Sequence, residues 1–239
     1  QFKKDVFYSK RILANYYANR AMMHSKLNEL DEAEKYGFLS IRYRNSDYLF
    51  YLINLCDVLL RQGKNEKALE IMVASFPELK KSGNLYYRIG FVSFYIKTLV
   101  ANGQCAKAID YADGFLNAYK KEIFEFRWHL FFTAYIDALF HAEKYSKIIS
   151  IVRRYKLIPK EKQMKETPQY LPIIQLYHRA SEYMEGAINS EGLKQAFIQH
   201  INEIGQNRFR HKRVLEVLKT IESNLPDIVH EVIRENRIK

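Results

Sequence analysis

The side chains that most often catalyse reactions or bind metals are spread along this chain of 239 residues without a shared pattern. The seven histidines are His24, His129, His141, His178, His200, His211 and His230. No two of them are four residues apart, the spacing that would aim two imidazoles on one helix face at a metal ion. His24 and His178 lie on or beside apolar stripes, which favours hydrogen-bonded packing over ligation. The sequence therefore predicts no metal site.

Cys56 and Cys105 are the only cysteines, too few for a disulfide framework in a chain of this size. Cys56 falls in an apolar stripe, where a free cysteine packs as a small hydrophobic side chain. Cys105 is expected near a turn and more exposed, but nothing in the sequence places an activating base beside it. Neither is predicted to be a nucleophile, and the cysteine content is compatible with a cytoplasmic protein.

Paired carboxylates would be the remaining route to acid–base chemistry. Asp57 and Asp137 occupy equivalent positions 80 residues apart, with Lys97 at the equivalent position between them, so a polar lining is favoured over a catalytic pair. The chain also has no glycine-rich phosphate loop, no H-E-x-x-H and no C-x-x-C motif. We predict that the protein is not an enzyme and needs no cofactor.

The composition predicts a helical fold with a sizeable core. Hydrophobic residues make up 48% of the chain and aromatic residues 14%, which argues against disorder. There are only 5 Pro and 9 Gly, too few for the turns of an all-β protein of this length. No apolar run approaches the ~18 residues of a membrane span, and no signal peptide follows Gln1. Because an initiator methionine is lacking, we expect a fragment or a processed product.

An internal repeat is the strongest signal in the sequence. Lys67, Lys107 and Lys147 recur every 40 residues in similar segments, and Ala33 precedes Ala68 by 35 residues. Before each lysine segment lies an apolar stripe with the helical spacing i, i+3, i+4 and i+7. These stripes are Leu52, Leu55, Cys56 and Leu59, then Val92, Tyr95, Ile96 and Leu99, then Phe132, Tyr135, Ile136 and Leu139. The repeated unit is therefore a helical hairpin, which buries its stripe by stacking on its neighbours.

These residues resemble the tetratricopeptide repeat, in which a small residue in the first helix and a turn glycine precede a characteristic alanine in the second helix. The second unit matches best, at Leu52, Leu55, Cys56, Leu59, Gly63, Ala68 and Ser75. The first unit departs from the pattern at Arg20 and His24, and the fourth has Ile148 for the alanine and no turn glycine. The resemblance covers roughly residues 12–160 and implies an all-α, right-handed α-solenoid of about 10–12 helices.

Beyond residue 160 the repeat fades, although helical stripes continue. Thr167 and Pro168 have the residue types of a helix start, Ser190 can start another helix, and Pro226 separates the last two. We predict about four hairpins in residues 1–160 and two divergent hairpins in residues 161–239, the last of them a polar cap. The segment from 157 to 167 is the expected loop.

In tetratricopeptide proteins the first helices line a groove that holds a peptide, and the resemblance implies the same here. From the residues beside each stripe, the predicted lining is Asn15, Asn19, Met22, Asn54, Asp57, Arg61, Ser93, Lys97, Thr133, Asp137 and His141. Asparagine can bond both the donor and the acceptor of a peptide backbone, and Arg or Lys can hold a carboxylate or phosphate. The alternative at each position is an ordinary solvated residue.

The formal net charge of +11 favours anionic partners. One basic cluster consists of Arg153, Arg154, Lys156, Lys160, Lys162 and Lys165, and the other of Arg208, Arg210, His211, Lys212 and Arg213. The favoured function is a protein- or peptide-binding scaffold, for example the regulatory or sensor arm of a larger protein. The alternative is nucleic-acid or anionic-ligand binding through the basic clusters. The sequence identifies neither the partner nor the oligomeric state.

Overall fold

The computed structural model describes residues 2–43, 45–126, 128–158, 171–204 and 208–235, and this part of the chain contains helices and no strand. The helices are α1 (Phe2–Lys26), α2 (Leu30–Ile41), α3 (Tyr48–Arg61), α4 (Asn65–Ala74), α5 (Phe76–Lys81), α6 (Leu85–Ala101), α7 (Cys105–Phe126), α8 (Trp128–His141), α9 (Tyr145–Tyr155), α10 (Leu171–Met184), α11 (Ser190–Ile204), α12 (Arg208–Glu222) and α13 (Pro226–Glu235). The prediction of an all-α fold is confirmed.

The chain divides into two compact units, Gln1–Ala134 and Tyr135–Lys239, and the division falls inside α8. The sequence placed a division at residue 160, which lies outside the described residues. In the first unit α3 packs on α1 and α2, and α6 packs on α3, α4 and α7. In the second unit α10 packs on α9, α11 and α12, while α13 packs on α11 and α12. Within each unit, the first helix of one hairpin therefore contacts the first helix of the next.

Five turns between paired helices share one backbone geometry, with a positive φ at the second residue after the first helix. These residues are Asn28, Gly63, Gly103, Glu143 and Gly186. In each turn the following N–H donates to the carbonyl five residues back, at 2.7–2.9 Å, which is the Schellman motif. The fourth turn therefore keeps the same shape without a glycine. Gly186 extends the pattern past residue 160, where the repeat could not be followed in the sequence.

The small residues of the second helices allow close packing, as the repeat predicted. Ala33, Ala68 and Ala108 are fully buried, and so is Ile148 in the fourth unit. Another close approach is at Gly37 in α2, where a Cβ atom would lie 2.9 Å from Cδ1 of Leu55 in α3. A side chain at residue 37 would require the Leu55 side chain to move.

Polar contacts link the starts of consecutive first helices. The Tyr51 hydroxyl donates to Asn15 Oδ1 at 2.6 Å, and Arg11 Nη2 lies 3.2 Å from Asp47 Oδ2. One hairpin further on, the Tyr87 hydroxyl donates to Asp47 Oδ1 at 3.4 Å. The partners are 36 or 40 residues apart, so these hydrogen bonds follow the sequence repeat.

Helix boundaries agree with the sequence in some places and differ in others. α11 begins at Ser190 and α13 at Pro226, as predicted. The short helix α5, with a proline in its first turn, was not predicted, and it extends the second hairpin. The helix start predicted at Thr167 and the loop around it fall largely outside the described residues.

Candidate functional site

A band of partly exposed side chains lies across the first helices of the first unit. Every residue of α3 is buried except Phe50, Asn54, Asp57, Leu60 and Arg61. Four of these share one helix face, with the spacing i, i+4, i+7 and i+11. The register of the turns adds Asn15, Asn19, Met22 and Lys26 in α1, and Gly90, Phe94, Lys97 and Ala101 in α6, of which Gly90 is buried and only marks the register. We call these three sets of four residues the first-helix band.

Asn54, at the middle of the band, has an unused hydrogen-bond donor. Its Nδ2 atom is buried and has no hydrogen-bond partner. A buried donor left unsatisfied costs about 1–3 kcal/mol, and rotation of the half-buried Asn54 side chain would bring Nδ2 to an incoming carbonyl oxygen that relieves this cost. Asn19, at the equivalent position of α1, is exposed. Two amides at the same register of neighbouring helices can bond the donors and acceptors of a peptide backbone.

Asp57 and Lys97 put opposite charges at the next position of the band, and both side chains are half-buried. Burial, assisted by the Asp57 charge, raises the pKa of the adjacent Cys56 thiol to about 12. Lys97 Nζ lies 5.1 Å from the centroid of the Phe94 ring, within range of a cation–π interaction. The band therefore offers a ligand both charged groups and an aromatic surface.

Two of the predicted lining residues are engaged within the protein. Asn15 accepts the hydrogen bond from Tyr51 described above. Arg61 Nη1 donates to Ser25 Oγ at 2.5 Å and to the Ser25 carbonyl at 3.2 Å, and its Nη2 donates to Asn28 Oδ1 at 3.0 Å. Arg61 thereby ties α3 to the end of α1 and to the first turn. It positions the band and is not a free cation for a ligand.

The prediction that Ser93 and Thr133 line a groove is wrong, because both are buried. Ser93 Oγ donates to the Ile89 carbonyl at 2.8 Å, and Thr133 Oγ1 donates to the His129 carbonyl at 2.7 Å. Both hydroxyls bond their own helix, as Ser and Thr commonly do when buried. In α6 the residue equivalent to Asn54 is Phe94. The 40-residue spacing of the repeat, counted from Asn54, would have identified it.

Asp137 and His141 lie in the second unit and form a separate arrangement. The hydroxyl of buried Tyr177 donates to Asp137 Oδ1, and His141 Nε2 lies 3.8 Å from the same oxygen. Burial and then the Asp137 charge raise the pKa of Tyr177 well above its usual value. Tyr177 follows Asp137 by 40 residues, so this bond again joins consecutive first helices. Asp137 is therefore occupied in packing α8 on α10, while His141 is exposed.

The described part of the first basic cluster is exposed at the end of α9. Arg153 Nη2 lies 3.7 Å from Glu182 Oε1, Arg154 lies 5.5 Å from the centroid of the Tyr155 ring, and Lys156 has a φ of +51°. Outside the described residues lie Lys160, Lys162 and Lys165. The second cluster lies in the first turns of α12 and consists of Arg208, Arg210, His211, Lys212 and Arg213. The structure describes the backbone of these residues but not their side chains. Nucleic-acid binding stays a prediction.

In the first hairpin, the two residues that depart from the repeat pattern, Arg20 and His24, pack around one tyrosine. His24 stacks on Tyr36 with ring centroids 5.3 Å apart and hydrogen-bonds Glu29 Oε2 at 2.5 Å. Arg20 Nη2 donates to the Tyr36 hydroxyl at 3.3 Å, and its guanidinium lies 5.1 Å from the same ring. A stack of planar polar groups therefore replaces the usual apolar contact between α1 and α2.

The cysteines are placed as the sequence predicted, and His178 is buried as predicted, although its Nε2 atom lacks the expected hydrogen bond. Cys56 is fully buried, and Cys105 is half-buried at the start of α7. His178 is buried with Nδ1 3.6 Å from Glu182 Oε2, and burial is the main cause that lowers its pKa. These side chains are part of the packing of their helices.

No protein-family model, curated protein or solved structure matches the chain. Among the residues that the structure describes, no helix combines the length and the apolar character needed to cross a membrane. The same residues contain no group of three or more His, Cys, Asp and Glu side chains placed to hold a metal ion. The functional argument therefore rests on the geometry of the first-helix band.

Proposed function

We propose that this chain is a binding protein whose first-helix band holds a peptide or a segment of a partner protein. The observation that carries the proposal is the buried Nδ2 atom of Asn54, which has no hydrogen-bond partner within the protein. Asn19 has the same register as Asn54 on the neighbouring helix α1, and Asp57 of α3 and Lys97 of α6 have the next position of the band and add charged groups. The proposed activity is binding without catalysis.

A tetratricopeptide-like α-solenoid is the architecture that we propose for these hairpins. Three observations support it within the units: the shared Schellman turns, the contacts between consecutive first helices, and the polar links that follow the repeat. In such an array the first helices present one continuous surface to a ligand. The first-helix band has the position that this architecture assigns to a groove.

The dimensions of neighbouring helices suit an extended peptide. Packed helices have axes about 8–10 Å apart, and an extended chain rises about 3.3 Å per residue. Asn19 and Asn54 can thus contact peptide groups about three residues apart. The Asp57 and Lys97 charges select for complementary charges along the same peptide, and Phe94 gives an apolar contact.

Selection from a random peptide display library tests the proposal on the full chain. We expect enriched sequences that bind the unaltered protein and lose at least about tenfold in affinity on Asn54→Leu, because the amide that bonds the peptide is removed. Asn54→Leu removes an unsatisfied buried donor, so the free energy of unfolding should stay the same or rise. This second readout separates loss of binding from loss of folding.

Asn117→Leu is the matched control, because Asn117 is an exposed residue of α7. It should bind the enriched peptides as the unaltered protein does. Failure to enrich any sequence, or equal binding by both variants and the unaltered protein, would contradict peptide binding by the band. Retention of RNA that is lost with rising salt would instead favour the basic clusters.

A further inference from the structure

One face of α1 carries an apolar stripe that is open to solvent. Its members are Ile12, Tyr16, Met23 and Leu27, with exposed fractions of 51%, 52%, 45% and 62%. Their spacing of four, eleven and fifteen residues from Ile12 puts them on one line along the helix. Leu27 continues this line into the turn after α1. We call these four residues the α1 stripe.

The register of the repeat shows what this stripe corresponds to in the next hairpin. The turn residues Asn28 and Gly63 are 35 residues apart, so the α1 stripe is equivalent to Asp47, Tyr51, Val58 and Gln62. These are docking positions of the second hairpin. Tyr51 and Asp47 bond α1 as described, and Gln62 Nε2 donates to Asp31 Oδ1 of α2 at 2.9 Å.

The third hairpin uses the same positions in the same way. Forty residues further on, the equivalents are Tyr87, Phe91, Thr98 and Asn102. Tyr87 donates to Asp47, and Asn102 Nδ2 donates to the Asn65 carbonyl at 3.0 Å. Phe91 and Thr98 are fully buried. In both later hairpins, the face that corresponds to the α1 stripe packs on the preceding hairpin.

The α1 stripe is therefore a stacking face that carries apolar side chains in contact with solvent. A stack of hairpins that ends in water needs a polar outer face at that end. Four large apolar side chains on one line do not form such a cap. Their spacing is that of the anchor residues by which one amphipathic helix packs on another. Continuity with the existing hairpin interfaces thus indicates a helical occupant.

The charges around the stripe indicate the chemistry of that occupant. From residue 9 to residue 28 there is no Asp or Glu, whereas Lys10, Arg11, Arg20 and Lys26 are cationic. Arg11 is paired with Asp47 in the adjacent hairpin, while Lys10 and Lys26 are exposed. A second copy of this chain docked through its own α1 would bring like charges together. An acidic helix would meet complementary charges.

We propose that the α1 stripe binds an amphipathic helix with acidic flanks, supplied by a partner protein, and that α1 packs on this helix as α3 packs on α1. The apolar seam of that helix covers Ile12, Tyr16, Met23 and Leu27. Its acidic residues lie on the side of the seam that faces Lys26. This surface shares Lys26 with the first-helix band, but its apolar members are different residues and the proposal does not depend on the groove function.

Two synthetic helical peptides of roughly five turns test the proposal by fluorescence anisotropy with the full chain. Both carry the same Leu/Ile seam, one with Glu flanks and the other with Lys flanks. We expect the Glu-flanked peptide to bind at least about tenfold more tightly, with an affinity that falls as salt rises. Equal affinity of the two peptides, or no binding of either, would overturn the proposal.

A double variant, Tyr16→Lys with Met23→Lys, locates the binding on the stripe. It should bind the Glu-flanked peptide at least about tenfold more weakly, because the apolar contacts are lost. The matched control is Val73→Lys, at an exposed apolar residue of α4 (47% exposed), which should bind normally. Thermal unfolding of both variants checks that the fold is kept.

Two further results would decide against the proposal. Unchanged affinity in the double variant would place the peptide elsewhere. Sedimentation showing self-association of the unaltered chain that the double variant abolishes would assign the stripe to a second copy. The variant Asp57→Lys, in the first-helix band, should change the affinity for the Glu-flanked peptide by no more than about twofold. Binding at the stripe and binding at the band can therefore be tested independently.

Discussion

Glu143 has a φ of +56° at the turn where two preceding hairpins have Gly63 and Gly103. The left-handed conformation costs a non-glycine residue about 1 kcal/mol, and Glu143 keeps it because the Schellman hydrogen bonds form around it. Glycine occupies three of the five turns, at Gly63, Gly103 and Gly186. The turns at Asn28 and Glu143 could not be predicted from residue type, because backbone hydrogen bonding determines their shape.

At the residue scale, two glycine substitutions should change stability in opposite directions. Gly63 has a φ of +73° and open space around its Cβ position, so Gly63→Ala should lower the free energy of unfolding by about 1 kcal/mol through conformation alone. Gly114 lies inside α7, also with open space, so Gly114→Ala should raise it by about 0.5–1 kcal/mol. Urea unfolding followed by circular dichroism measures both. The same sign in both variants would contradict the turn assignment.

At the scale of helices, the sequence predicted which segments form hairpins but not which polar residues join them. The hairpins follow from apolar spacing, which is a local property of each helix. The sequence predicts Arg61 and Asn15 as ligand contacts, because spacing puts Arg61 on the same face of α3 as Asn54 and the repeat puts Asn15 on the equivalent face of α1. Their partners Ser25 and Tyr51 become neighbours only when consecutive first helices pack. Free and engaged residues of the band could therefore be separated only in the structure.

Removing the Arg61 side chain should destabilise the first hairpin interface. Arg61→Ala deletes the hydrogen bonds to Ser25 and Asn28, so we expect a loss of about 2 kcal/mol in the free energy of unfolding. The matched variant is Arg42→Ala, at an exposed arginine after α2, which should change it by less than about 0.5 kcal/mol. Denaturant titration of both proteins is the measurement. Equal stability of the two variants would refute the structural role of Arg61.

The packing of α6 and α7 should make the protein sensitive to alkaline pH. Burial is the main cause that raises the pKa of Tyr111, to about 12, against an ordinary value of 10.0. The folded form then holds a proton that the unfolded chain releases, so this contribution is fully present below about pH 10 and is lost as pH rises towards 12. Tyr111→Phe should reduce the slope of unfolding free energy against pH in this window. Tyr86→Phe, at an exposed tyrosine, should not, and an unchanged slope in Tyr111→Phe would contradict the assignment.

At the scale of the whole molecule, composition and periodicity were sufficient to predict an all-helical chain of hairpins. They could not reveal that α1 carries a docking face, since Tyr16 and Met23 are identified as stacking positions only through the register of Tyr51 and Val58. They also could not show the partnerless amide of Asn54, because that depends on what surrounds it in the fold. Both features are properties of contacts between units of the repeat, so they appear only once the hairpins are packed.

The most direct test of peptide binding by the band is calorimetric titration of a library-selected peptide into the unaltered chain, Asp57→Lys and Glu70→Lys. Asp57 lies in the band and Glu70 on the exposed side of α4, so both variants make the same change of charge at different surfaces. We predict at least about tenfold weaker binding for Asp57→Lys and unchanged binding for Glu70→Lys. Equal affinities for all three proteins would show that the peptide binds elsewhere and would contradict the account.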